Sequence, residues 1–279
     1  MPELPEVETV RRDLASLVVG KKIGGVGVGD RRVVQGFGPR GEPRRNVRVS
    51  DFVRRVVGRT VRDVLRRGKY LIFDLGPDLA LLAHLRMTGR MVFGPEDAGA
   101  RAVFRFEGTA EVLNFSDTRR FGEVWLAEDW RKDPSIASLG PDPLNDALDV
   151  GAWGRDLRRS TAKMQAALLD QKRLAGLGNI YVTEALFLSG LRPTRRAHTV
   201  AAAEIPPLVE NIRRVLSEGL ALRGVSFRDY RDARGERGQA QTRLRAYGKA
   251  GSPCPQCASL FRGVQVNGRG AVYCPKCQR

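Results

Sequence analysis

Four cysteines near the carboxyl end are the residues whose spacing is most specific for a chemistry. Cys254 and Cys257 form one C-x-x-C pair, Cys274 and Cys277 form another, and 16 residues separate the two pairs. Each pair sets two thiolates on one tight turn, and the residues between the pairs can form a hairpin that closes a tetrahedral zinc site. Two disulfides are the alternative, which the lack of a visible secretory signal disfavours. We expect one structural Zn²⁺ with four cysteine ligands and no open position for catalysis.

The opening string Met1-Pro-Glu-Leu-Pro-Glu-Val-Glu8 contains a second group of reactive side chains. Removal of Met1 ahead of a small residue would leave Pro2 as a free secondary amine. An α-amino group has a pKa of about 7.7–8, so a useful fraction is unprotonated at neutral pH and can attack a sugar carbon. Glu3 is adjacent as a proton donor and acceptor, and Glu6 returns to the same helix face one turn later. Taken alone, such a string more commonly begins a helix whose dipole the glutamates complement.

The charge balance points to a polyanionic partner. Forty-eight Lys and Arg residues stand against 31 Asp and Glu residues, which leaves a formal charge of +17. This excess favours a nucleic acid, bound through phosphate neutralisation and counterion release. Only His84 and His198 could serve as histidine bases, so any chemistry must come from carboxylates, amines or a metal.

No apolar run reaches the roughly 18–20 residues that a membrane span needs. The N-terminal residues also lack a basic segment followed by an apolar stretch, which would mark a secretory signal. We therefore expect a cytoplasmic protein with no membrane partner.

Periodicity indicates the elements that position these groups. Val7, Val10, Leu14 and Leu17 recur at three- and four-residue spacing, which predicts a helix over 2–19. From about residue 21 to 130 the pattern is that of strands with no helix between them, and it favours an antiparallel sandwich or barrel. Strands are predicted over 70–75, 79–84, 103–106 and 112–115. Helices are predicted further on, over 164–171, 179–188 and 208–222.

The domain limits follow from shifts in composition. Pro134, Pro141 and Pro143 fall in a segment rich in Asp, Pro, Ser and Gly that we take as a linker. The predicted division is 1–132 for the N-terminal helix and sandwich, 133–145 for the linker, 146–249 for a helical domain, and 250–279 for the zinc finger. Residues 224–249, at the end of the helical domain, have the composition of a mobile basic loop.

The chain resembles the formamidopyrimidine-DNA glycosylases, bacterial enzymes that excise 8-oxoguanine and ring-opened purines. The resemblance runs along essentially the whole chain. It rests on the opening string and the terminal cysteines together with Arg67-Gly-Lys-Tyr70, His84-Leu-Arg-Met-Thr-Gly89, Asp117-Thr-Arg-Arg-Phe-Gly122, Leu168-Leu-Asp-Gln171 and Gly176-Leu-Gly-Asn-Ile-Tyr181. It implies an α+β multidomain fold: an N-terminal helix on an antiparallel β-sandwich, a helix–two-turn–helix domain and a zinc-finger β-hairpin.

The resemblance also implies a role for four residues in catalysis. Pro2 would form a Schiff base with the damaged nucleoside, and Glu3 would protonate the sugar ring oxygen and move protons. Lys69 would lie near the phosphate of the lesion and serve base release and β-elimination. Arg269, on the zinc hairpin, would bind the phosphates of the lesion and assist δ-elimination. The implied activity is that of a bifunctional DNA glycosylase and AP lyase of base excision repair.

Four further residues would bind DNA. Met87, Arg119 and Phe121 would fill the gap that is left when the lesion is flipped out of the duplex. Asn179 would hold a phosphate through its amide and the backbone N–H groups beside it. The implied partner is double-stranded DNA with a damaged base, bound by a monomer that works at the bacterial nucleoid.

Several positions depart from the family pattern. Gln165 stands where the family usually has lysine, and Lys163 lies two residues earlier, where a helical side chain points elsewhere. A family histidine is missing from the stretch Gly99-Ala-Arg101. The other departures are Thr118, Gln239, Ala240, Lys249 and Ala271. None of them touches the chemistry at Pro2, but they bear on lesion preference and DNA affinity.

Two other functions remain open on the sequence. The endonuclease VIII-like branch shares the proline and the zinc finger and prefers oxidised pyrimidines. Its members typically have glycine where Leu4 stands, and they lack the combination of Met87, Arg119 and Phe121. A noncatalytic zinc-ribbon protein that binds damaged DNA is the alternative from another functional class.

Overall fold

The computed structural model describes residues 1–36, 42, 45–144 and 147–279 of the chain. These residues form two compact units. One unit comprises Met1–Ala137 with Leu222–Gln239, and the other comprises Ser138–Ala221 with Ala240–Arg279. The domain limits inferred from the sequence stay a prediction. Residues 145 and 146, where the predicted linker ends and the helical domain begins, lie outside the described residues.

The first unit consists mainly of strands. Its elements are α1 (Leu4–Val18), β1 (Ile23–Val28), α2 (Arg32–Gln35), α3 (Val49–Val56), β2 (Asp63–Arg67), β3 (Tyr70–Asp74), β4 (Ala80–His84), β5 (Gly89–Gly94), β6 (Ala102–Phe106), β7 (Val112–Asp117), β8 (Glu123–Ala127), a 3₁₀ turn (Trp130–Lys132) and α4 (Pro134–Ala137).

Two four-stranded antiparallel sheets make up the body of this unit. Their strand orders are β2-β3-β4-β8 and β1-β6-β7-β5. Leu71 and Leu81 from one sheet share a single buried cluster with Phe104 and Phe115 from the other, and Leu14 of α1 joins them. Side chains that alternate across each strand let both sheets face one apolar layer. The prediction of an N-terminal helix on an antiparallel sandwich is therefore confirmed.

The expectation of a strand region without helices is wrong at two places, α2 and α3. The segment of α3 is rich in β-branched valines, which favour strands in isolation. Its apolar residues Val49, Phe52, Val53 and Val56 nevertheless follow helical spacing, and Phe52 and Val56 are fully buried in the sandwich core. Tertiary burial of that face outweighs the local preference.

The first helix is slightly shorter than predicted. It begins at Leu4 rather than at residue 2, because Glu3 has extended backbone angles and occupies the N-cap position. Pro5 lies in the first turn, where its missing N–H is not needed. Pro2 therefore lies just ahead of the helix and is itself buried.

The second unit is helical and ends in a hairpin. Its elements are α5 (Val150–Arg158), α6 (Met164–Leu169), α7 (Asn179–Leu188), 3₁₀ turns at Ala197–Thr199, Ala202–Glu204 and Ala240–Arg243, α8 (Ile205–Ala221), β9 (Arg262–Val266) and β10 (Arg269–Tyr273).

Close packing of α7 against α8 organises this unit. A side chain at Gly219 would come within 2.4 Å of the Tyr181 hydroxyl, so only glycine allows the two helices to approach this closely. The helix α8 starts three residues before the predicted start, because Pro206 and Pro207 fit a first turn. Among the described residues no helix is both long and apolar enough to cross a membrane.

Within the first unit, a buried ion pair links α1 to the sheets. The Arg66 Nε atom donates to Glu8 Oε2 over 2.9 Å, and only 1% of the Arg66 side chain is exposed. Burial raises the pKa of Glu8, but hydrogen bonds from Arg11, Arg12 and Arg66 outweigh this effect, so the pKa lies below its ordinary value. The carboxylate is thus stabilised in its charged form.

We expect Glu8→Gln to destabilise the first unit by roughly 2 kcal/mol at pH 7, because it removes the carboxylate charge that pairs with the buried Arg66. A carboxyl with a depressed pKa stabilises the folded state above its unfolded pKa of about 4.3, and this stability is lost as the pH falls through the folded value. The stability gap between variant and parent should therefore shrink from pH 7 to pH 3.5 in thermal unfolding.

The matched control is Glu128→Gln, since Glu128 faces Arg55 in an exposed pair at 3.5 Å. Exposed pairs contribute roughly 0–1 kcal/mol, so this variant should differ little from the parent at either pH. A Glu8→Gln gap of the same size at both pH values would contradict the assignment.

Candidate functional site

The four cysteines lie together at the base of the β9–β10 hairpin. The Sγ atoms of Cys254 and Cys277 are 3.9 Å apart, those of Cys257 and Cys274 are 3.4 Å apart, and all four lie within 4.8 Å of one another. Four sulfurs at about 2.3 Å from one tetrahedral zinc would be about 3.8 Å apart. The spacing therefore fits a single zinc ion.

The pKa values of the cysteine thiols also favour a cation between the four sulfur atoms. Neighbouring thiols, Cys257 foremost, raise the pKa of Cys277 to about 12, whereas hydrogen bonds from Ser259 lower the pKa of Cys257 to about 6. Four adjacent thiolates would repel one another unless a divalent cation offset their charge. The cysteines hold one structural zinc ion with no coordination position left open.

The tip of this hairpin determines where Arg269 lies. Asn267 and Gly268 both have positive φ angles, 49° and 76°, and they join Val266 to its strand partner Arg269. Asn-Gly in such a two-residue loop is typical of a type I′ turn. Arg269 therefore begins β10 directly after the turn, and it is exposed.

In the first unit, the first turn of α1 is fixed by a buried carboxylate. Glu6 Oε2 accepts from the backbone N–H of Glu3 over 2.8 Å, and Glu6 Oε1 accepts from the N–H of Val225 over 2.7 Å. A side chain at Gly224 would come within 2.8 Å of Glu6, so this position also requires glycine. Glu6 thus holds the backbone of Glu3, beside Pro2, to the segment 222–239.

That segment is the part of the predicted basic loop that belongs to the first unit. It contains no helix or strand, but it is anchored through Asp232, which is fully buried. Asp232 and Asp13 both pair with Arg223, and Asp232 also accepts the backbone N–H groups of Arg234 and Glu236. The sequence did not indicate that these residues group with the sandwich.

Lys69 lies on the two-residue turn between β2 and β3. Gly68 has a φ of 55°, and the turn carbonyl of Gly68 accepts from Arg66 over 3.0 Å. Because Arg66 also pairs with Glu8, the turn that carries Lys69 is tied to α1. Lys69 itself is buried.

The nearest histidine does not act as a cation beside this lysine. Burial lowers the pKa of His84 well below its usual value, and the charges of Arg86 and Lys69 lower it further. Its Nδ1 atom accepts from the backbone N–H of Arg86 over 3.0 Å. His84 is therefore neutral, and its ring accepts a backbone N–H within the loop that follows β4.

Met87, Arg119 and Phe121 lie on two loops of the sandwich, 85–88 and 118–122, which meet where the Arg119 N–H donates to the Thr88 hydroxyl. Met87 is 42% exposed and Phe121 is 53% exposed, which is unusual for large apolar side chains. The Arg119 guanidinium lies 5.1 Å from the centre of the Phe121 ring. The three side chains form an exposed group with apolar and stacking surfaces.

Asp117 joins these two loops. Its Oδ1 atom accepts from the Thr88 hydroxyl and from the backbone N–H of Arg119, and its Oδ2 atom accepts from the N–H of Gly122. The buried Arg101 donates to the Gly122 carbonyl and faces Asp117 at 3.7 Å. The motif alone does not indicate that Asp117 joins the two loops, because Thr88, its partner on the other loop, lies 29 positions away in the sequence.

In the second unit, Gln171 shapes the turn that precedes α7. Its Nε2 atom donates to the carbonyls of Leu169 and Leu177, and its Oε1 atom accepts from the N–H of Gly176. The N-cap residue of α7 is Gly178, and Asn179 is its first helical residue. The helix therefore opens on backbone N–H groups suited to an anion.

The side chain of Asn179 contacts both the zinc hairpin and α6. Its Nδ2 atom donates to the Gly270 carbonyl over 2.8 Å, and its Oδ1 atom accepts from Gln165 Nε2 over 2.6 Å. Gln165 is the residue that stands where the family usually has lysine. The sequence did not indicate that Gln165 lies against Asn179.

The predicted residues thus fall into three groups. Met87, Arg119 and Phe121 come together on neighbouring loops, and Asn179 comes together with the hairpin that carries Arg269. Pro2, Glu3 and Lys69 are linked by the network of Glu6, Glu8 and Arg66. Their roles in a reaction stay a prediction at this point.

Comparison with known families matches the chain in three stretches. Residues 1–124 match the formamidopyrimidine-DNA glycosylase N-terminal domain, residues 139–231 match the H2TH domain of the same enzymes, and residues 251–279 match the zinc finger found in FPG and IleRS.

Similar proteins cover the full length. Formamidopyrimidine-DNA glycosylases of Desulfitobacterium hafniense and Pelotomaculum thermopropionicum are each 39% identical to this chain, over 100% of it and 100% and 99% of their own lengths. A crystal structure of Lactococcus lactis Fpg with DNA containing an abasic site superposes with a TM-score of 0.88, at 34% identity over 99% of both chains. A structure of MutM with DNA containing carbocyclic 8-oxo-G gives the same TM-score and identity over 100% of both chains.

Removal of zinc is expected to abolish DNA binding while the sandwich stays folded. The zinc ion holds the β9–β10 hairpin in shape, and this hairpin carries Arg269 and accepts a hydrogen bond from Asn179. The measurement is fluorescence anisotropy on an abasic-site duplex before and after chelation, with hydrogen exchange of strands β3 and β4 as the check on folding. Re-addition of Zn²⁺ is the control. Unchanged binding by protein shown to be free of zinc would contradict this role.

Proposed function

Because the chain belongs to the formamidopyrimidine-DNA glycosylase family and is a DNA glycosylase of base excision repair, we propose that Pro2 is its nucleophile. The observation that carries this proposal is the buried first turn of α1, where Glu6 fixes the backbone of Glu3 directly beside Pro2. A secondary amine in a fixed position can attack without a metal or a histidine base.

The reaction starts at the sugar of the damaged nucleoside. Once Met1 has been removed, the Pro2 nitrogen bonds to C1′ and gives up its own proton. The damaged base leaves with the electron pair of the glycosidic bond and takes up that proton. Opening of the sugar ring then turns the C1′–N bond into an iminium ion, and the ring oxygen receives a proton from Glu3. Glu3 is assigned this step because it adjoins Pro2 and its backbone N–H is held by the Glu6 carboxylate.

Strand cleavage follows from the same iminium ion. Loss of a proton from C2′ expels the 3′ phosphate by breaking the C3′–O bond, which is β-elimination. Loss of a further proton from C4′ expels the 5′ phosphate by breaking the C5′–O bond, which is δ-elimination. Water then releases the unsaturated sugar fragment from Pro2, which regenerates the amine.

Three cationic or amide groups would assist at the phosphates. Lys69 would lie at the phosphate of the lesion and serve base release and β-elimination, and its turn is held rigidly by Arg66. Asn179 would bind a phosphate at the start of α7, and Arg269 would assist δ-elimination. Charge-assisted hydrogen bonds of this kind stabilise the negative charge that develops on a leaving phosphate.

Met87, Arg119 and Phe121 would occupy the gap in the duplex after the lesion has flipped out. Unstacking a base costs a few kcal/mol, and an apolar wedge with a stacking guanidinium offsets part of this cost. The exposure of Met87 and Phe121 supports this role, since the folded protein alone gains nothing from it.

The preferred lesion is proposed to be an oxidised purine, 8-oxoguanine or a formamidopyrimidine. The relatives at 39% identity carry the formamidopyrimidine-DNA glycosylase name, and a structure similar to this chain is that of MutM in complex with DNA containing carbocyclic 8-oxo-G. Leu4 and the Met87, Arg119 and Phe121 group favour this branch over the endonuclease VIII-like one. The work of the enzyme on chromosomal DNA would take place in the cytoplasm.

Borohydride reduction on a duplex containing 8-oxoguanine is expected to trap a covalent protein–DNA adduct, because borohydride reduces the iminium ion to a stable amine. Pro2→Gly or acetylation of the N-terminus should abolish the adduct, whereas Pro5→Ala, in the first turn of α1, should retain it. The adduct is measured by denaturing gel electrophoresis. Tight binding with no adduct from the parent protein would instead favour a noncatalytic damage-binding protein.

A further inference from the structure

Gln165 connects two elements of the second unit that have proposed roles at the phosphates. Its Nε2 atom donates to Asn179 Oδ1 over 2.6 Å and to the Gly270 carbonyl over 3.2 Å. Asn179 Nδ2 donates to the same carbonyl over 2.8 Å. Two amide side chains and one hairpin carbonyl therefore form a closed triangle of hydrogen bonds.

The Gln165 amide acts in this triangle only as a donor. Its side chain is almost fully buried, and its Oε1 atom has no hydrogen-bond partner within the described part of the chain. An unpaired buried acceptor is unfavourable, so the amide orientation must be set by the two oxygens that face Nε2. Turning the amide over would place an oxygen against Asn179 Oδ1 and the Gly270 carbonyl.

The position of the Gly270 carbonyl bears directly on Arg269. Arg269 and Gly270 are consecutive at the start of β10, and the Asn267-Gly268 turn fixes the backbone on the other side. A hydrogen bond to the carbonyl therefore restrains the backbone from which the Arg269 side chain extends. Arg269 itself is exposed.

Core packing alone does not account for a glutamine at this position. The other buried residues of α6 are Met164, Ala167 and Leu168, all apolar. An apolar residue would fill the same space without burying an unpaired oxygen. The amide is instead directed at the two elements that would bind phosphate.

We propose that Gln165 is a positioning residue. It holds Asn179 and the turn before Arg269 together as one phosphate-binding site and thereby promotes δ-elimination. The inference rests on the proposed function, because it assigns Gln165 to one step of that reaction. It acts through Asn179 and the hairpin backbone and has no part in the attack by Pro2. The two steps can therefore be measured separately.

The test is Gln165→Met, which keeps the length of the side chain and removes its donor. On abasic-site DNA, the ratio of 3′-phosphate ends to 3′-unsaturated aldehyde ends should fall about tenfold, the factor typical of one lost hydrogen bond. At protein concentrations that saturate the DNA, the rate of borohydride trapping at Pro2 should stay within error of the parent, as should the zinc content and the melting temperature.

Two further variants make the result specific. Gln265→Met makes the same change at an exposed residue that pairs with Gly270 across the hairpin, and it should leave the product ratio unchanged. Gln165→Lys keeps an N–H donor in reach of the two oxygens and should restore most of the ratio.

The outcomes separate this inference from the proposed function. An unchanged product ratio for Gln165→Met, or equal losses of trapping and δ-product, would overturn the role of Gln165. A parent protein that forms only β-elimination products would overturn it as well. Failure of the parent to form any trapped adduct would instead remove the proposed function itself.

Discussion

The buried ion pair between Glu8 and Arg66 is the contact on which the first unit depends most. Glu8 joins α1, which presents Pro2 and Glu3, to Arg66, which in turn holds the turn of Lys69. Arg66 is buried, and a buried guanidinium is tolerated only when its charge is matched and its N–H groups are bonded. The pair therefore fixes the helix and the turn relative to each other at the place where an amine and a lysine are proposed to act.

Other buried carboxylates hold the backbone of loops and of a helix start. Asp117 organises the loops of Met87 and Phe121, Glu6 holds the first turn of α1, and Asp232 anchors the segment that follows α8. Each carboxylate accepts backbone N–H groups, so each fixes main chain rather than only side chains. A strongly basic chain can thus use internal carboxylates for rigidity while its exposed arginines remain available for a polyanion.

Local patterns predicted much of this structure. The spacing of Val7, Val10 and Leu14 gave α1, and the two C-x-x-C pairs gave the zinc hairpin, because in both cases the signal lies within a short stretch. The strand preference of Val49 and Val53 concealed α3, whose helical form depends on a core assembled from distant residues. The contacts of Asp117, Glu8 and Gln165 span 29, 58 and 105 positions at most, and no local pattern encodes them.

The reactive amine is proposed to be the nitrogen of Pro2 and not that of a lysine such as Lys69. The most direct measurement is mass spectrometry of the borohydride-reduced complex after nuclease and protease digestion. A sugar remnant is expected on the peptide that begins at Pro2, with Met1 absent. A remnant on the peptide that contains Lys69, or on any other lysine, would contradict it.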